Sequence, residues 1–331
     1  MKFLKKIGIE PFILCLLGAI FAAWLDPAVG MDREPFSLGD AANWGVCFIF
    51  FFYGLRLDRA KLKEGLVNTR LHVLIHLSTF VMFPAVVYAA MCAFGGFEAK
   101  GTAHFLWIGA FFLASLPSTV SSSVVMVSIA RGNMPAAIFN ASLSSMLGVF
   151  MTPILMGLIL EQSHGASGLG EVIVKLILQV ILPVGIGLYL NPKYGGFARA
   201  HKRMLRIFDQ TVIVLIVYTS FCDSFAKKMF EGFSILEIFA LLGEMTGLFV
   251  FAMLAVWGIC RLLKFNREDT ITAVFCGSKK SLAHASVMSR VLFENAAAVG
   301  VMLLPTMIYH AMQLVLVSAI AKRLGREEPR V

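Results

Sequence analysis

Residues 274–283 read VFCGSKKSLA, a sequence with two charges that does not suit a continuous membrane helix. Lys279 and Lys280 follow a Gly-Ser pair inside an apolar segment that runs from Thr270 to Leu292. A charge at bilayer depth costs about 2.5–3.5 kcal/mol on insertion scales, so a lipid-facing helix would not carry two. The stretch predicts a helix that is interrupted at residues 277–281. The alternatives are that the segment is a loop, or that one lysine reaches an interface.

A second irregular stretch lies upstream, where residues 116–124 read LPSTVSSSV. Pro117 removes a backbone donor, and the hydroxyl groups beside it can bond freed carbonyls or a ligand. A simple proline kink is the alternative interpretation. Interrupted helices at matching positions of two inverted halves are typical of a transporter's midplane site.

The composition predicts a polytopic membrane protein of the all-α class. Apolar residues make up 58% of the 331 and charged residues 15%, and the mean hydropathy is +0.81. Soluble domains carry about 25% charged residues. The apolar runs approach the ~20 residues that span hydrocarbon as a helix, and they lack the alternation of barrel strands. The six cysteines lie in or beside these runs and are interpreted as packing residues.

Ten apolar stretches are predicted to be transmembrane helices. Their predicted bounds are Pro11–Leu25, Ala41–Leu55, Leu71–Phe94, Leu106–Ala130, Ala136–Leu160, Val172–Leu190, Thr211–Phe225, Ile235–Leu263, Thr270–Leu292 and Val299–Ala321. With the N-terminus placed inside, 21 of the 29 Lys and Arg residues fall in inside segments and six in outside segments. The positive-inside rule therefore predicts that both termini are cytoplasmic. The net charge of +9 follows from this topology and does not indicate a nucleic-acid partner.

A faint internal repeat relates the two halves, residues 1–165 and 166–331. The first span ends with AWLDP at residues 23–27, and the sixth ends with LYLNP at residues 188–192. Each half contains five predicted spans. Because five is an odd number, the second half must enter the membrane from the opposite side, which predicts an inverted 5+5 repeat. Chance similarity of two short helix ends is the alternative.

Further candidate site residues are polar side chains inside other predicted spans. Asn140 and Ser144 are four residues apart, and His310 and Gln313 are three apart, so each pair shares a helix face. Interhelical packing is the alternative role for such residues. The full set of these candidates is Asn140, Ser144, Ser145, Gln179, Tyr218, His310 and Gln313.

Motifs of several enzyme and pump classes are missing from the sequence. There is no P-loop, no HExxH and no paired-aspartate signature, which argues against an ATP-driven pump, a membrane metalloprotease and a prenyl-diphosphate enzyme. His72 and His76 have no acidic or cysteine companion for a metal. The sequence therefore predicts a protein that is not an enzyme and has no cofactor or bound metal.

The chain resembles the bile acid:sodium symporter superfamily, in the bacterial branch close to the vertebrate seventh member. The stretches that carry the resemblance are residues 274–283, the turn at residues 131–133, and Tyr309-His310 with Gln313. The resemblance implies a core domain of spans three to five and eight to ten, and a panel domain of spans one, two, six and seven. Spans four and nine would be broken and crossing, with the substrate between the two domains. It also implies the bacterial inner membrane.

The resemblance also implies a site at the crossing. Its members are Thr119, Ser121, Ser122, Ser123, Gly277, Ser278, Lys279, Lys280 and Ser281, with Asn140, Ser144 and Ser145 on the fifth span. Sodium-coupled members of the superfamily have a glutamate and a glutamine where this chain has its lysines. This difference argues against sodium at one of the two ion positions of the family.

The leading hypothesis is a secondary active transporter for an organic anion that works by alternating access and is coupled to Na⁺ or H⁺. One alternative is a proton-coupled or facilitative exporter without a sodium site, and another is a non-transporting regulator of ion homeostasis. Lys280 is expected to take a cation's place, to carry a coupled proton, or to pair with the substrate. The expected partners are a small anionic molecule and the lipid bilayer, while substrate identity, direction of transport and oligomeric state stay open.

Overall fold

A computed structural model of the chain describes residues 11–31, 37–56, 68–164, 174, 177–231, 234–293 and 296–326. Within these ranges every regular element is helical and there is no strand, so the prediction of an all-helical protein is confirmed. The helices are α1 Pro11–Leu25, α2 Leu38–Arg56, α3 Thr69–Ala93, α4 Gly101–Ser115, α5 Ser121–Ile129, α6 Met134–His164, α7 Leu182–Ala200, α8 Lys202–Ala226, α9 Ile235–Leu262, α10 Arg267–Gly277, α11 Leu282–Leu292 and α12 Ala296–Arg326. Helix α3 contains a π turn at Ser78–Met82, and a second π turn, Ile177–Ile181, precedes α7.

Polar residues define where several of these helices begin. Ser234 caps α9 and forms a capping box with Glu237. The side chains of Asn68, Asn266 and Ser281 cap α3, α10 and α11 respectively. Each cap satisfies a backbone N–H that the first turn leaves without an intrahelical partner. These polar caps in an apolar sequence explain why the helices begin where they do.

Length and composition identify the membrane-crossing helices. Six helices, α2, α3, α6, α8, α9 and α12, are long and apolar enough to cross a bilayer, and α1 and α4 are shorter apolar helices. Their outer surfaces expose large apolar side chains, among them Trp24 at 60% and Phe239 at 63%. Such surfaces are stable against lipid rather than water. The chain is a multi-pass membrane protein.

Two predicted helix bounds are wrong near the seventh helix. Helix α7 continues through Pro192 to Ala200, ten residues beyond the predicted end at Leu190, and α8 begins at Lys202 rather than Thr211. The error arises because hydropathy stops at the charged residues, whereas a helix extends into the polar interface. The first residues of the predicted sixth span, 172 and 173, lie outside the described residues.

The two segments that suggested an internal repeat have different structures. Helix α1 ends at Leu25 and is followed by a 3₁₀ turn at Pro27–Val29, whose N-cap is Asp26. The corresponding Pro192 lies inside α7. The short sequence similarity therefore does not reflect matching helix ends, and the inverted repeat depends on other features.

The helices pack in two groups. Helices α1, α2, α7 and α8 pack mainly against one another, and the remaining helices form a second group that contacts α8 through α11 and α12. Gly54 and Gly187 let the backbones of α2 and α7 touch, because a Cβ atom on either would collide with the main chain of the other helix. The two helix interruptions lie in the second group.

Candidate functional site at the helix interruptions

Two short non-helical segments meet inside the second group of helices. Helix α4 ends at Ser115 and α5 begins at Ser121, while α10 ends at Gly277 and α11 begins at Leu282. The backbone N–H of Ser281 donates a 3.0 Å hydrogen bond to the carbonyl of Pro117, which joins the two segments directly. Non-helical backbone is tolerated at membrane depth only where protein or a water-filled cavity surrounds it.

The ammonium group of Lys280 binds three backbone carbonyls. Its Nζ donates to the carbonyl oxygens of Thr79 at 2.7 Å, Ala114 at 2.6 Å and Leu116 at 2.9 Å. It also lies 4.3 Å from the centre of the Phe83 ring, within cation–π distance. The side chain is fully buried. A positive charge is therefore held inside the protein by oxygen atoms from two separate segments.

These carbonyls are available because of local backbone geometry. Thr79 lies in the π turn of α3, and the wider i→i+5 turn disrupts the regular hydrogen-bond ladder. Ala114 belongs to the last turn of α4 and Leu116 is its C-cap, where carbonyls lack intrahelical partners. The end of a helix carries about half a negative charge, so an ammonium group is stabilised there. The neighbouring carbonyl of Ser115 is satisfied separately by the hydroxyl of Thr152 at 2.8 Å.

One face of α12 holds the second interruption in place. The side-chain amide of Gln313 accepts from the backbone N–H of Lys280 at 2.9 Å and donates to its carbonyl at 2.8 Å. The same Nε2 is 2.7 Å from Nδ1 of His310, so Nδ1 acts as the acceptor. The hydroxyl of Tyr309 donates to the carbonyl of Ser278 at 2.6 Å. His310 and Gln313 therefore lie at the interruption, where they position the backbone that carries Lys280.

Lys279 reaches the other interruption. Its Nζ donates to the hydroxyl of Ser122 at 2.8 Å, which in turn donates to Thr119 Oγ1 at 2.9 Å. Thr119 and Ser123 share a further 2.9 Å hydrogen bond. The structure thus brings together most of the residues predicted at the crossing; the side chain of Ser121 lies outside the described residues.

The donor set at this cluster does not fit a resident sodium ion. A hard cation is normally bound by several oxygens that include carboxylates or free carbonyls. Here Lys279 and Lys280 already supply positive charge, and the carbonyls that face Lys280 are bonded to it. In the described ranges, Asp269 is the only buried carboxylate, and it belongs to a different cluster. The side chains and carbonyls of this cluster therefore do not form a sodium site.

The candidates on α6 contact the interruptions from one side. Ser144 Oγ accepts a 2.9 Å hydrogen bond from the backbone N–H of Ser118. Asn140 is engaged elsewhere: its Oδ1 lies 3.1 Å from Nδ1 of His72, and its amide donates to the carbonyl of Ala136 at 2.8 Å. Ser144 thus belongs to the site, whereas Asn140 connects α6 to α3.

Two aromatic residues beside Ser145 were not predicted from the sequence. Ser145 lies next to Tyr53 and His284. The rings of Tyr53 and His284 meet edge to face with their centres 5.5 Å apart. Tyr53 belongs to α2 and His284 to α11, so this contact joins the two groups of helices. The spacing of Ser281 and His284, three residues apart at a helix start, is the signal that could have identified the histidine.

Gln179 and Tyr218 belong to the first group of helices. Gln179 is half-buried in the π turn before α7. Tyr218 is on α8, where it packs against Gly30 and Cys222. Hydrophobic patterning gave both residues an inward face, but it carries no information about which neighbouring helix that face meets.

A second polar cluster joins three helix N-termini. The carboxylate of Asp269 accepts from the side-chain amides of Asn68 at 2.9 Å, Asn133 at 2.8 Å and Asn266 at 3.2 Å. The side-chain oxygens of the same asparagines accept from backbone N–H groups in the first turns of α3, α6 and α10. A negative charge is favourable at helix N-termini. This cluster, here called the asparagine cluster, joins the first turns of α3, α6 and α10, and each of these helices contacts an interruption or ends at one.

Comparisons with known proteins give one family match and several full-length relatives. The family model of the SBF-like CPA transporter family matches residues 10–326. The chain is similar to the putative symporter YfeH of Escherichia coli, with 36% identity over 321 residues that cover 96% of this chain and 94% of YfeH. The uncharacterised protein PA2026 of Pseudomonas aeruginosa is 36% identical over 317 residues, covering 96% and 93% of the two chains. The sodium/bile acid cotransporter 7 of Rattus norvegicus is 28% identical over 323 residues, covering 97% and 94%.

Proposed function

The chain belongs to the SBF-like CPA transporter family, and we propose that it is a secondary active transporter that moves a small organic anion by alternating access. The chain is a membrane transporter, and neither its family nor its relatives are enzymes. The anionic nature of the substrate, the coupling ion and the mechanism are the parts that we propose.

The observation that carries the proposal is the environment of Lys280. Its ammonium group satisfies carbonyls of α3 and of the end of α4, a place where a free cation would otherwise be needed to balance the negative helix end. Lys279 adds a second buried positive charge at the start of α5, on the other side of the same interruption. Two buried cations without a buried carboxylate beside them, among the described residues, favour an anionic substrate over a cationic one.

We propose that the full fold has ten membrane-crossing segments in an inverted 5+5 repeat of residues 1–165 and 166–331. The pairs α4–α5 and α10–α11 would then be the broken fourth segments of the two halves. The packing of α1, α2, α7 and α8 against one another supports a panel domain beside a core domain formed by the other helices. Both termini would lie in the cytoplasm and the protein in the inner membrane of a bacterium. The boundary between the halves lies outside the described residues.

We propose that Lys280 replaces a coupling sodium ion at its own position. The proposed secondary active transport would then be driven by protons, although relatives are named sodium/bile acid cotransporters. A facilitative carrier without a sodium site is the alternative. A regulator of ion homeostasis that does not transport is the competing possibility, and it predicts no uptake of any anion.

Thermal unfolding of the purified full chain tests the substrate class and the ion. A ligand that binds the native state raises its stability. We expect at least one organic carboxylate or sulfonate to raise the midpoint temperature of unfolding in potassium buffer. Taurocholate is the first compound to be tested in a series of such anions. Replacing K⁺ by Na⁺ should add no further shift. No stabilisation by any anion would contradict the anion proposal, and a Na⁺ shift that persists in Lys280→Met would locate sodium elsewhere.

Uptake of the stabilising anion into proteoliposomes then tests Lys280 itself. Lys280→Met should abolish uptake while the variant still elutes as a single folded species in detergent. Lys228→Met is the matched control, because it removes the same group from an exposed lysine that forms a surface ion pair with Glu231. Full uptake by Lys280→Met would overturn the role assigned to this lysine.

A further inference from the structure

An apolar groove runs along the outer face of α3 beside the end of α9. It has a volume of about 670 Å³, and its wall includes Val73, Leu77 and Val81 from α3 and Ile259 and Leu263 from α9 or the residues just after it. The three α3 side chains are each about half exposed, at 50%, 53% and 54% respectively. In a membrane protein such a surface faces lipid, so the groove is open to the hydrocarbon from its side.

The groove has one charged end. Arg70, in the first turn of α3, is exposed and lines the groove. Within the described residues the ion pairs are those of Arg56 with Asp209 and of Lys228 with Glu231, so no described carboxylate neutralises Arg70. Among the described residues that line the groove, the other polar side chains are Thr69 and Ser78. The charge pattern of the groove therefore matches an amphiphile with an anionic head and an apolar tail.

The depth of the groove fits one bilayer leaflet. Arg70 and Met82 are twelve residues apart, which is about 18 Å along a helix, compared with about 15 Å for half of a ~30 Å hydrocarbon core. At the C-terminal end of α9, which supplies Ile259 to the groove, the guanidinium of Arg261 lies 5.0 Å from the ring of the exposed Trp257. Trp and Arg side chains of this kind mark the level of the membrane interface. Arg70 is thus placed at headgroup depth.

We propose that this groove holds an acyl chain of an anionic phospholipid, with the headgroup phosphate bound by Arg70. The inner wall includes Ser78, the first residue of the π turn, and the next residue, Thr79, supplies a carbonyl to Lys280. A lipid in the groove packs against the segment that holds the buried lysine. The proposal depends on membrane embedding and does not depend on the identity of the transported solute.

The test uses the full chain, purified and stripped of lipid in detergent. Bound lipids are counted by native mass spectrometry, and thermal unfolding is followed during titration with phosphatidylglycerol or phosphatidylcholine. We expect phosphatidylglycerol to bind more tightly and to raise the midpoint more. Arg70→Gln should weaken phosphatidylglycerol binding about fivefold, the contribution of one basic residue near a headgroup, and should leave phosphatidylcholine binding unchanged.

Two further variants make the result specific. Leu77→Trp fills the groove from its exposed face without disturbing the core, and it should weaken binding of both lipids. Arg323→Gln is the matched control, because Arg323 is an exposed arginine of α12 outside the groove. This variant should bind both lipids as the parent does. Equal losses in Arg70→Gln and Arg323→Gln, or equal stabilisation by inorganic phosphate, would overturn the proposal. A change of oligomeric state in Leu77→Trp would show that a second copy occupies the groove instead.

Discussion

Replacing Asp269 by asparagine tests the asparagine cluster with a change of one atom. Asp269 Oδ2 accepts from Asn68 and Asn266, while Oδ1 accepts from Asn133 alone. The least disruptive rotamer of the new amide keeps its oxygen at Oδ2 and turns its NH₂ group toward Asn133. Asn133 cannot turn its own oxygen to meet it, because that oxygen caps α6 through the N–H of Ala136.

The expected cost follows from these bonds. One hydrogen bond to a charged group is lost, which costs about 1.5–3 kcal/mol. The other two become neutral and lose roughly half their strength, about 1 kcal/mol each. The sum is a destabilisation of about 3–5 kcal/mol, which is large for a substitution of one atom.

Reversible unfolding in mixed detergent micelles measures this free energy. Glu268→Gln is the matched control, because it makes the same change of charge at the adjacent, exposed residue, and it should cost less than about 0.5 kcal/mol. If the unfolding free energy of Asp269→Asn lies within about 1 kcal/mol of the parent value, the carboxylate does not hold the three helices together. Equal losses in both variants would mean that overall charge, and not the cluster, is responsible.

Two further substitutions probe the support of the interruptions. Gln313→Leu leaves the buried backbone N–H of Lys280 without its partner and leaves the C=O to the 3.4 Å approach of His310 Nδ1. It should cost about 1–3 kcal/mol of unfolding free energy, and no measurable loss would show that water replaces the amide. Gly148→Ala places a Cβ 2.5 Å from the Pro117 ring, and this overpacking should lower the unfolding free energy by about 1–3 kcal/mol. Gly157→Ala on the same helix is the control: its Cβ meets open space, so the substitution should be neutral or stabilising. The same thermal assay compares the two alanine variants, and equal midpoints would contradict the close packing at Pro117.

The helical interruptions could be predicted because their sequences break simple rules. A proline followed by hydroxyl residues, and two lysines inside an apolar run, are each incompatible with a continuous lipid-facing helix. The structure ends α4 at Ser115 and α10 at Gly277, close to those stretches. The structure places Thr119, Ser122 and Lys280 at these interruptions, and their role in transport stays a prediction.

Other features of the site have no signal in local sequence. The π turn at Ser78–Met82 has an apolar sequence like that of any membrane helix, so the exposed carbonyl of Thr79 could not be predicted. The asparagine cluster joins residues 68, 133, 266 and 269. Each asparagine alone is an ordinary helix cap. Only packing reveals that the three caps share one carboxylate.

Residues 274–283 illustrate the division between the two kinds of information. Sequence alone determined that this stretch lies in a membrane protein and that its helix is interrupted, because hydrocarbon does not tolerate unpaired polar groups or repeated charge. Tertiary structure decided what each lysine binds: Lys280 reaches Thr79, 201 residues earlier in the chain, and Lys279 reaches Ser122, 157 residues earlier. The physical reason is that a buried charge must find its partners in space, and sequence separation does not report which helices become neighbours when the chain folds.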